Sequence, residues 1–176
     1  MTQIDKNAAI NAEKWLNTSI DEQAKQEIIS LRENNVNEFN DAFYRTLEFG
    51  TGGLRGIMGI GTNRMNKYIV AMTTQGFCNY IAENNSGKQI KTVISYDSRN
   101  NSSEFAKITA RVMAANGFKV YLFEDIRPTP ELSFAVRELK ADAGVMLTAS
   151  HNPKEYNGYK AYWNDGAQLT SPHDEL

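Results

Sequence analysis

Residues 147–160, LTASHNPKEYNGYK, set a hydroxyl (Ser150), an imidazole (His151), an amide (Asn152) and an amine (Lys160) within one short segment behind an apolar run. Several kinds of chemistry can be weighed for such a group. Acyl transfer needs a serine, a histidine within hydrogen-bond reach and an acid that orients the histidine. His151 is a poor base for Ser150, because adjacent side chains generally point apart. His173 is the only other histidine, and no G-x-S-x-G elbow is present. Zinc finds no ligand spacing in one cysteine and two histidines. No G-K-[ST] follows GTGGLRG, and G-x-G-x-x-G is met only as Gly50-x-Gly52 with Arg55 in the third slot. What remains is a serine that carries a phosphoryl group, which asks for exposure, backbone freedom and positive surroundings.

The elements that must position these residues can be read from hydrophobic spacing. TVISY (92–96), FKVYLF (118–123) and AGVML (143–147) read as strands, and 67–84, 103–116 and 130–140 read as helices. Strand, helix, strand, helix, strand implies right-handed βαβ units, hence a three-layer α/β/α domain with a mostly parallel, mixed sheet. NGYKAYWNDGAQLT reads as a hairpin turning at Asn164-Asp165-Gly166. In open α/β sheets ligands bind at the carboxyl ends of the strands. Three loops leave those ends: YDSRNNS with Arg99, EDIRPTPE with Arg127, and TASHNP with Ser150 and His151. The glycine-rich stretch FGTGGLRGIMGIG, read as a loop and then a short hairpin around Gly59, adds Arg55, and Arg64 follows. Arginine forks grip phosphate bidentately, so a phosphorylated small molecule is the natural ligand.

Residues 1–48 carry no strand pattern and read as a helical extension lying against residues 49–176. Asp5 is placed to cap a first helix bearing Ala8, Ala12, Trp15 and Leu16. Ser19 and Glu22 have capping-box spacing for a second, and Phe39, Phe43 and Leu47 align along a third. The 176 residues are 41% hydrophobic and 23% charged, ordinary for a globular chain. A formal charge of −2 argues against bulk nucleic-acid or membrane-surface binding, so an anion must be caught by a local cluster of cations. Cys78 stands alone and reads as a buried thiol in a reducing compartment. Neither a secretory leader nor a membrane-spanning run is visible, and the expected location is the cytoplasm.

Taken singly, these residues also suit a turn, a hairpin or a solvated cation. As a set they resemble the α-D-phosphohexomutases, the phosphoglucomutase/phosphomannomutase family. Thr148 to Pro153 match its T-A-S-H-N-P signature without substitution. Phe49 to Gly56 match F-G-T-x-G-[LI]-R-G, with Gly52 where serine or alanine is commoner. Asn157 to Lys160 match N-G-x-K, and Asp97-Ser98-Arg99 match the D-x-R element. The helical leader is most similar to the longer phosphoglucomutase/phosphopentomutase-type branch, and the likeness spans roughly residues 10–176.

The resemblance implies a four-domain isomerase of carbohydrate metabolism of which this chain is domain I. Its D-G-D-G-D-R magnesium loop, sugar-selecting loop and final phosphate loop would lie C-terminal to Leu176. By the same likeness Ser150 is the phosphoryl carrier, moving phosphate between C1 and C6 of a hexose phosphate through a bisphosphate intermediate. Arg55 and Lys160 give electrostatic and acid/base help, and His151 meets the substrate or the bridging oxygen. Thr51, Gly52, Arg99 and Asn152 are implied as phosphate- or substrate-binding positions. Mg²⁺ would touch this chain only at a phosphoryl oxygen on Ser150, and a hexose bisphosphate is the implied activator. The isolated chain is expected to be inactive. A module that binds sugar phosphate without catalysis is the alternative.

Overall fold

The computed structural model describes residues 3–50, 52–85 and 87–170. Three helices come first: α1 (Lys6–Leu16), α2 (Glu22–Asn34) and α3 (Val36–Phe43). Asp5 caps α1, its carboxylate accepting from the Ala8 N–H. The cap of α2 departs from the sequence expectation. Asp21, not Ser19, accepts from Ala24 N–H, since an ionised oxygen serves the positive helix end better than a hydroxyl. The second Asp21 oxygen takes hydrogen bonds from Lys67 and Tyr68, which hold this carboxyl well below the usual carboxylate range. Helix α3 ends before Leu47, whose N–H is donated to the Thr62 carbonyl instead. Ala8, Ala12, Ile28, Phe39, Ala42 and Phe43 bury one face of each helix in a shared cluster. Trp15 ties this cluster to the rest by edge-on contacts to Phe43 (6.0 Å) and Tyr68 (5.4 Å).

The glycine-rich stretch departs more. Residues Gly53–Ile57 form a strand, β1, rather than a loop. No hairpin turns at Gly59: Met65 donates to Ile57 O and Gly59 donates to Met65 O, closing a loop that returns parallel. The chain then alternates through α4 (Lys67–Asn84), β2 (Lys91–Tyr96), α5 (Ser102–Ala115), β3 (Lys119–Leu122), α6 (Thr129–Glu138), β4 (Ala143–Leu147) and β5 (Tyr156–Trp163). The spatial order is β1-β5-β4-β2-β3, and only β5 runs against the others. After β5 the chain turns at Asn164–Gly166, with Gly166 N–H bonded to Trp163 O and Leu169 N–H to Ala161 O.

Helices cover both faces, as the alternating pattern requires. Ile94, Val145, Leu147, Tyr159 and Ala161 pack beneath α4 and α5 through Val70, Phe77, Ile81 and Phe105. Val93, Met146 and Tyr162 meet α6 on the opposite face through Leu132 and Val136. Helix α6 lies over β2 and β4. Its side of β5 and β1 is where Arg55 and Lys160 emerge, and the carboxyl ends of β1, β2, β3 and β4 share one edge beside it.

Candidate active site

Strand β4 ends at Leu147, but Thr148 keeps one more sheet bond, its N–H donating to Gly158 O (3.0 Å). The chain then leaves the sheet sharply. Thr148 Oγ1 accepts from the Ser150 N–H (3.0 Å), and Asn152 N–H donates to Ala149 O. Ser150 sits at φ 57°, in the left-handed region, with its side chain exposed. A non-glycine residue there costs about 1–2 kcal/mol, so the turn must be held from outside. His151 is also exposed, its Nδ1 3.5 Å from Ser150 Oγ, and no carboxylate among the described residues orients it. That is not the geometry of a hydrolase triad.

Arg99 holds the turn. Its Nη2 donates to the carbonyls of Ser150 (2.9 Å) and Asn152 (2.6 Å), and its Nη1 to those of Pro153 (2.8 Å) and Tyr156 (3.0 Å). Its Nε lies 3.6 Å from Asp97 Oδ2. Asp97 Oδ1 accepts from Arg99 N–H and from Ser102 Oγ, which in turn accepts from the buried Asn157 amide. Asn157 also donates to Asn100 O. The starts of α5 and β5 and the serine loop are thereby one polar lattice.

Arg55 reaches the loop from β1, where it lies opposite Gly158 of β5. Its Nη1 donates to Asn152 Oδ1 (3.2 Å). The route exists because Gly158 has no side chain: a Cβ there would stand 2.8 Å from Arg55 Cγ. Lys160, two residues on, projects from the same face by the period of a strand. Half-burial and the repulsion of Arg55 lower its pKa, against the attraction of Asp97. Close approach of β1 to β5 brings the pair together; a Cβ on Gly53 would stand 2.1 Å from the Tyr159 carbonyl oxygen. Arg55, Lys160, Glu48 and Gln168 line a cavity of about 230 Å³. Larger hollows, such as one of about 480 Å³ beside Trp15 and Met72, lie away from the serine loop and hold fewer convergent cations.

The other expected residues fall variously. Gly52 (φ 71°) turns its carbonyl inward to Ala161 N–H and Gln168 Nε2, while Thr51 lies outside the described residues, as does His173. Arg64 does not converge on the site: it is buried and bonded to Glu38 and Asp41, stitching α3 to the loop after β1. Arg127 donates to Ile126 O and pairs with Glu131. Ser102 escapes sequence reading altogether, since nothing in SSEF marks the first residue of a helix as a partner of Asn157. Among the described residues no three histidine, cysteine, aspartate or glutamate side chains gather to hold a metal. Nor is any described helix long and apolar enough to cross a membrane.

Fold and loop placement together define a doubly wound α/β/α domain with its polar side chains massed at the carboxyl edge of the sheet. Residues 46–176 match the family profile "Phosphoglucomutase/phosphomannomutase, alpha/beta/alpha domain I", and the chain belongs to that family. A phosphopentomutase of Homo sapiens is 46% identical over 169 residues, covering 92% of this chain and 27% of its own length. A Staphylococcus epidermidis phosphoglucomutase is 50% identical over 134 residues, covering 76% of this chain and 24% of its own. A solved Thermus thermophilus structure assigned as a phosphomannomutase superposes with a TM-score of 0.68 at 32% identity, over 74% of this chain and 29% of that one. The chain thus spans about a quarter of the length of the relatives it matches.

Proposed function

We propose that this chain is the catalytic-serine domain of a phosphohexomutase, an intramolecular phosphotransferase that shifts a phosphoryl group between C1 and C6 of a hexose phosphate. Residues 49–176 form that domain, residues 1–48 brace it, and the remaining domains lie C-terminal to Leu176. The observation that carries the reading is Ser150, exposed in a left-handed turn whose Asn152 side chain accepts from Arg55, a cation that lines one cavity with Lys160. An exposed hydroxyl accepts a phosphoryl group without clash, and two cations on one sheet face, Arg55 of β1 and Lys160 of β5, supply positive charge to offset it.

In the forward half-reaction the Oγ–P bond of phosphorylated Ser150 breaks as a sugar hydroxyl oxygen bonds to phosphorus. The leaving Oγ takes a proton and the attacking hydroxyl gives one up. Lys160, its pKa lowered by burial and by Arg55, parts with a proton more readily than a solvated lysine, which suits it to that exchange. His151 contacts the substrate or the bridging oxygen, while Asn152, Gly52 and Thr51 contribute to phosphate binding. The bisphosphate then presents its other phosphate and the steps reverse. A covalent carrier divides a transfer that no intramolecular geometry allows into two in-line displacements. Mg²⁺, bound through the phosphoryl oxygen and ligands outside this chain, would neutralise charge on the group in transfer.

Incubation with glucose 1,6-bisphosphate followed by intact-mass analysis tests the reading. One phosphate should appear on the wild type and map to Ser150, and none on Ser150→Ala. Equal phosphate uptake by both proteins would end the carrier assignment.

A further inference from the structure

We propose that Arg99 is a positioning residue that sets the conformation of the serine loop, rather than a ligand for the substrate's phosphate; the inference rests on the reading of Ser150 as phosphoryl carrier. Its guanidinium spends both Nη atoms on four backbone carbonyls of one seven-residue segment, those of Ser150, Asn152, Pro153 and Tyr156. Nε is turned to Asp97, and only 15% of the side chain is exposed. No fork is left to grip an incoming anion, so the residue acts through the loop.

What the clamp accomplishes follows from peptide geometry. A trans peptide holds its C=O and N–H on opposite sides. With the Ser150 carbonyl drawn in to Arg99, the N–H of His151 is turned outward. The outer face of the turn therefore offers a hydroxyl and an N–H, not carbonyl lone pairs that would repel a dianion. The same contacts hold Ser150 at φ 57°, a conformation that a serine does not keep unaided. Lysine cannot substitute, because one ammonium lacks the planar fork that reaches four acceptors. Asp97, anchored through Ser102 to Asn157, fixes the guanidinium from behind.

Two measurements test this. On the chain itself, amide hydrogen exchange of Arg99→Lys should speed up by at least about tenfold across the amides of residues 150–156, with the β4 amides unchanged. In the enzyme that carries this domain, Arg99→Lys and Arg99→Ala should lower kcat by about 100-fold with KM within about threefold. Millimolar guanidinium should restore at least about tenfold of that loss in Arg99→Ala, through an ion that refills the fork. If Arg99→Ala does not fold, exchange and the kcat-to-KM split in Arg99→Lys decide alone. Wild-type exchange in the loop overturns the proposal, and so does a raised KM with kcat intact, which would make Arg99 a substrate ligand. Ser150→Ala, run in parallel, keeps the two ideas apart: full turnover there sinks the carrier reading while the exchange result still stands or falls on its own.

Discussion

Replacing Gly158 by alanine drives a methyl group into the junction of β1, β5 and the end of β4. A Cβ at that position stands 2.6 Å from the Thr148 carbonyl oxygen, 2.8 Å from Arg55 Cγ and 2.9 Å from the Leu54 carbonyl oxygen. Arg55 can swing away. The two carbonyls cannot, because they belong to the backbone, so the strands themselves have to part. Overpacking costs about 1–3 kcal/mol, and two backbone clashes place this variant in the upper half, at about 2–3 kcal/mol. In a chain of this size each kcal/mol moves Tm by about 2–4 °C, which gives a drop of about 4–12 °C. Gly76 is the matched control. It lies exposed inside α4, and a Cβ there would meet no atom within 4 Å. Gly76→Ala should raise stability by about 0.5–1 kcal/mol, or Tm by about 1–4 °C, by removing backbone freedom from the unfolded chain. Thermal unfolding followed by far-UV circular dichroism reads both variants. A Gly158→Ala Tm within about 2 °C of wild type would refute the close strand approach, and with it the path by which Arg55 reaches Asn152.

Three further outcomes are expected. Because the folded state lowers the Lys160 pKa below its ordinary 10.5, the unfolded chain binds that proton more tightly, and stability should rise with pH just below 10.5. The stability difference between wild type and Lys160→Met, followed by urea unfolding across that range, should slope upward; a flat or falling difference counts against a half-buried Lys160 beside Arg55. Phe39 is fully buried with its ring 5.3 Å from that of Phe43, so Phe39→Ala should cost about 3–5 kcal/mol in the same assay. A loss below about 1 kcal/mol would mean that α1–α3 are not packed as described. The chain alone should not convert glucose 1-phosphate to glucose 6-phosphate in a coupled assay with Mg²⁺, since it spans about a quarter of the length of the mutases it matches and the sugar's other end would go ungripped. Sustained turnover by the isolated chain would show that the site needs less than is supposed.

Much of the fold was legible because strands and helices here obey their own periods. AGVML carries no polar side chain and TVISY only hydroxyls, which suits strands covered on both faces, and both are found buried. Strand β1 was not legible. GLRGI carries two glycines and an arginine, and its strand character comes from pairing with β5 rather than from local preference. Ser19 misled for a related reason: two capping patterns overlap there, and tertiary bonds from Lys67 and Tyr68 favour Asp21. At the site, the identity of the loop could be read, but the allegiance of its cations could not. Arg55, Arg64 and Arg99 look alike in sequence. Only the fold shows that one reaches the outer face of the loop, one is spent on Glu38 and Asp41, and one lies beneath the serine.

The same separation runs through N-G-x-K. Asn157, fully buried, ties β5 to the start of α5, Gly158 clears the way for Arg55, and Lys160 alone opens onto the cavity with a free amine. Spacing explains why these tasks travel together. Gly158 and Lys160 share a face because strand side chains alternate, while Asn157 must point to the other side, toward Ser102. Insertion of one residue between Asn157 and Lys160 would send the lysine to the core face that Tyr159 and Ala161 now occupy, where an ammonium could not stay charged. The chemistry at the carboxyl edge therefore depends on strand register as strictly as the core does. Asn157 and Ser102, which reach the serine loop only through Asp97 and Arg99, are by this reasoning as necessary to the shape of that loop as the residues within it.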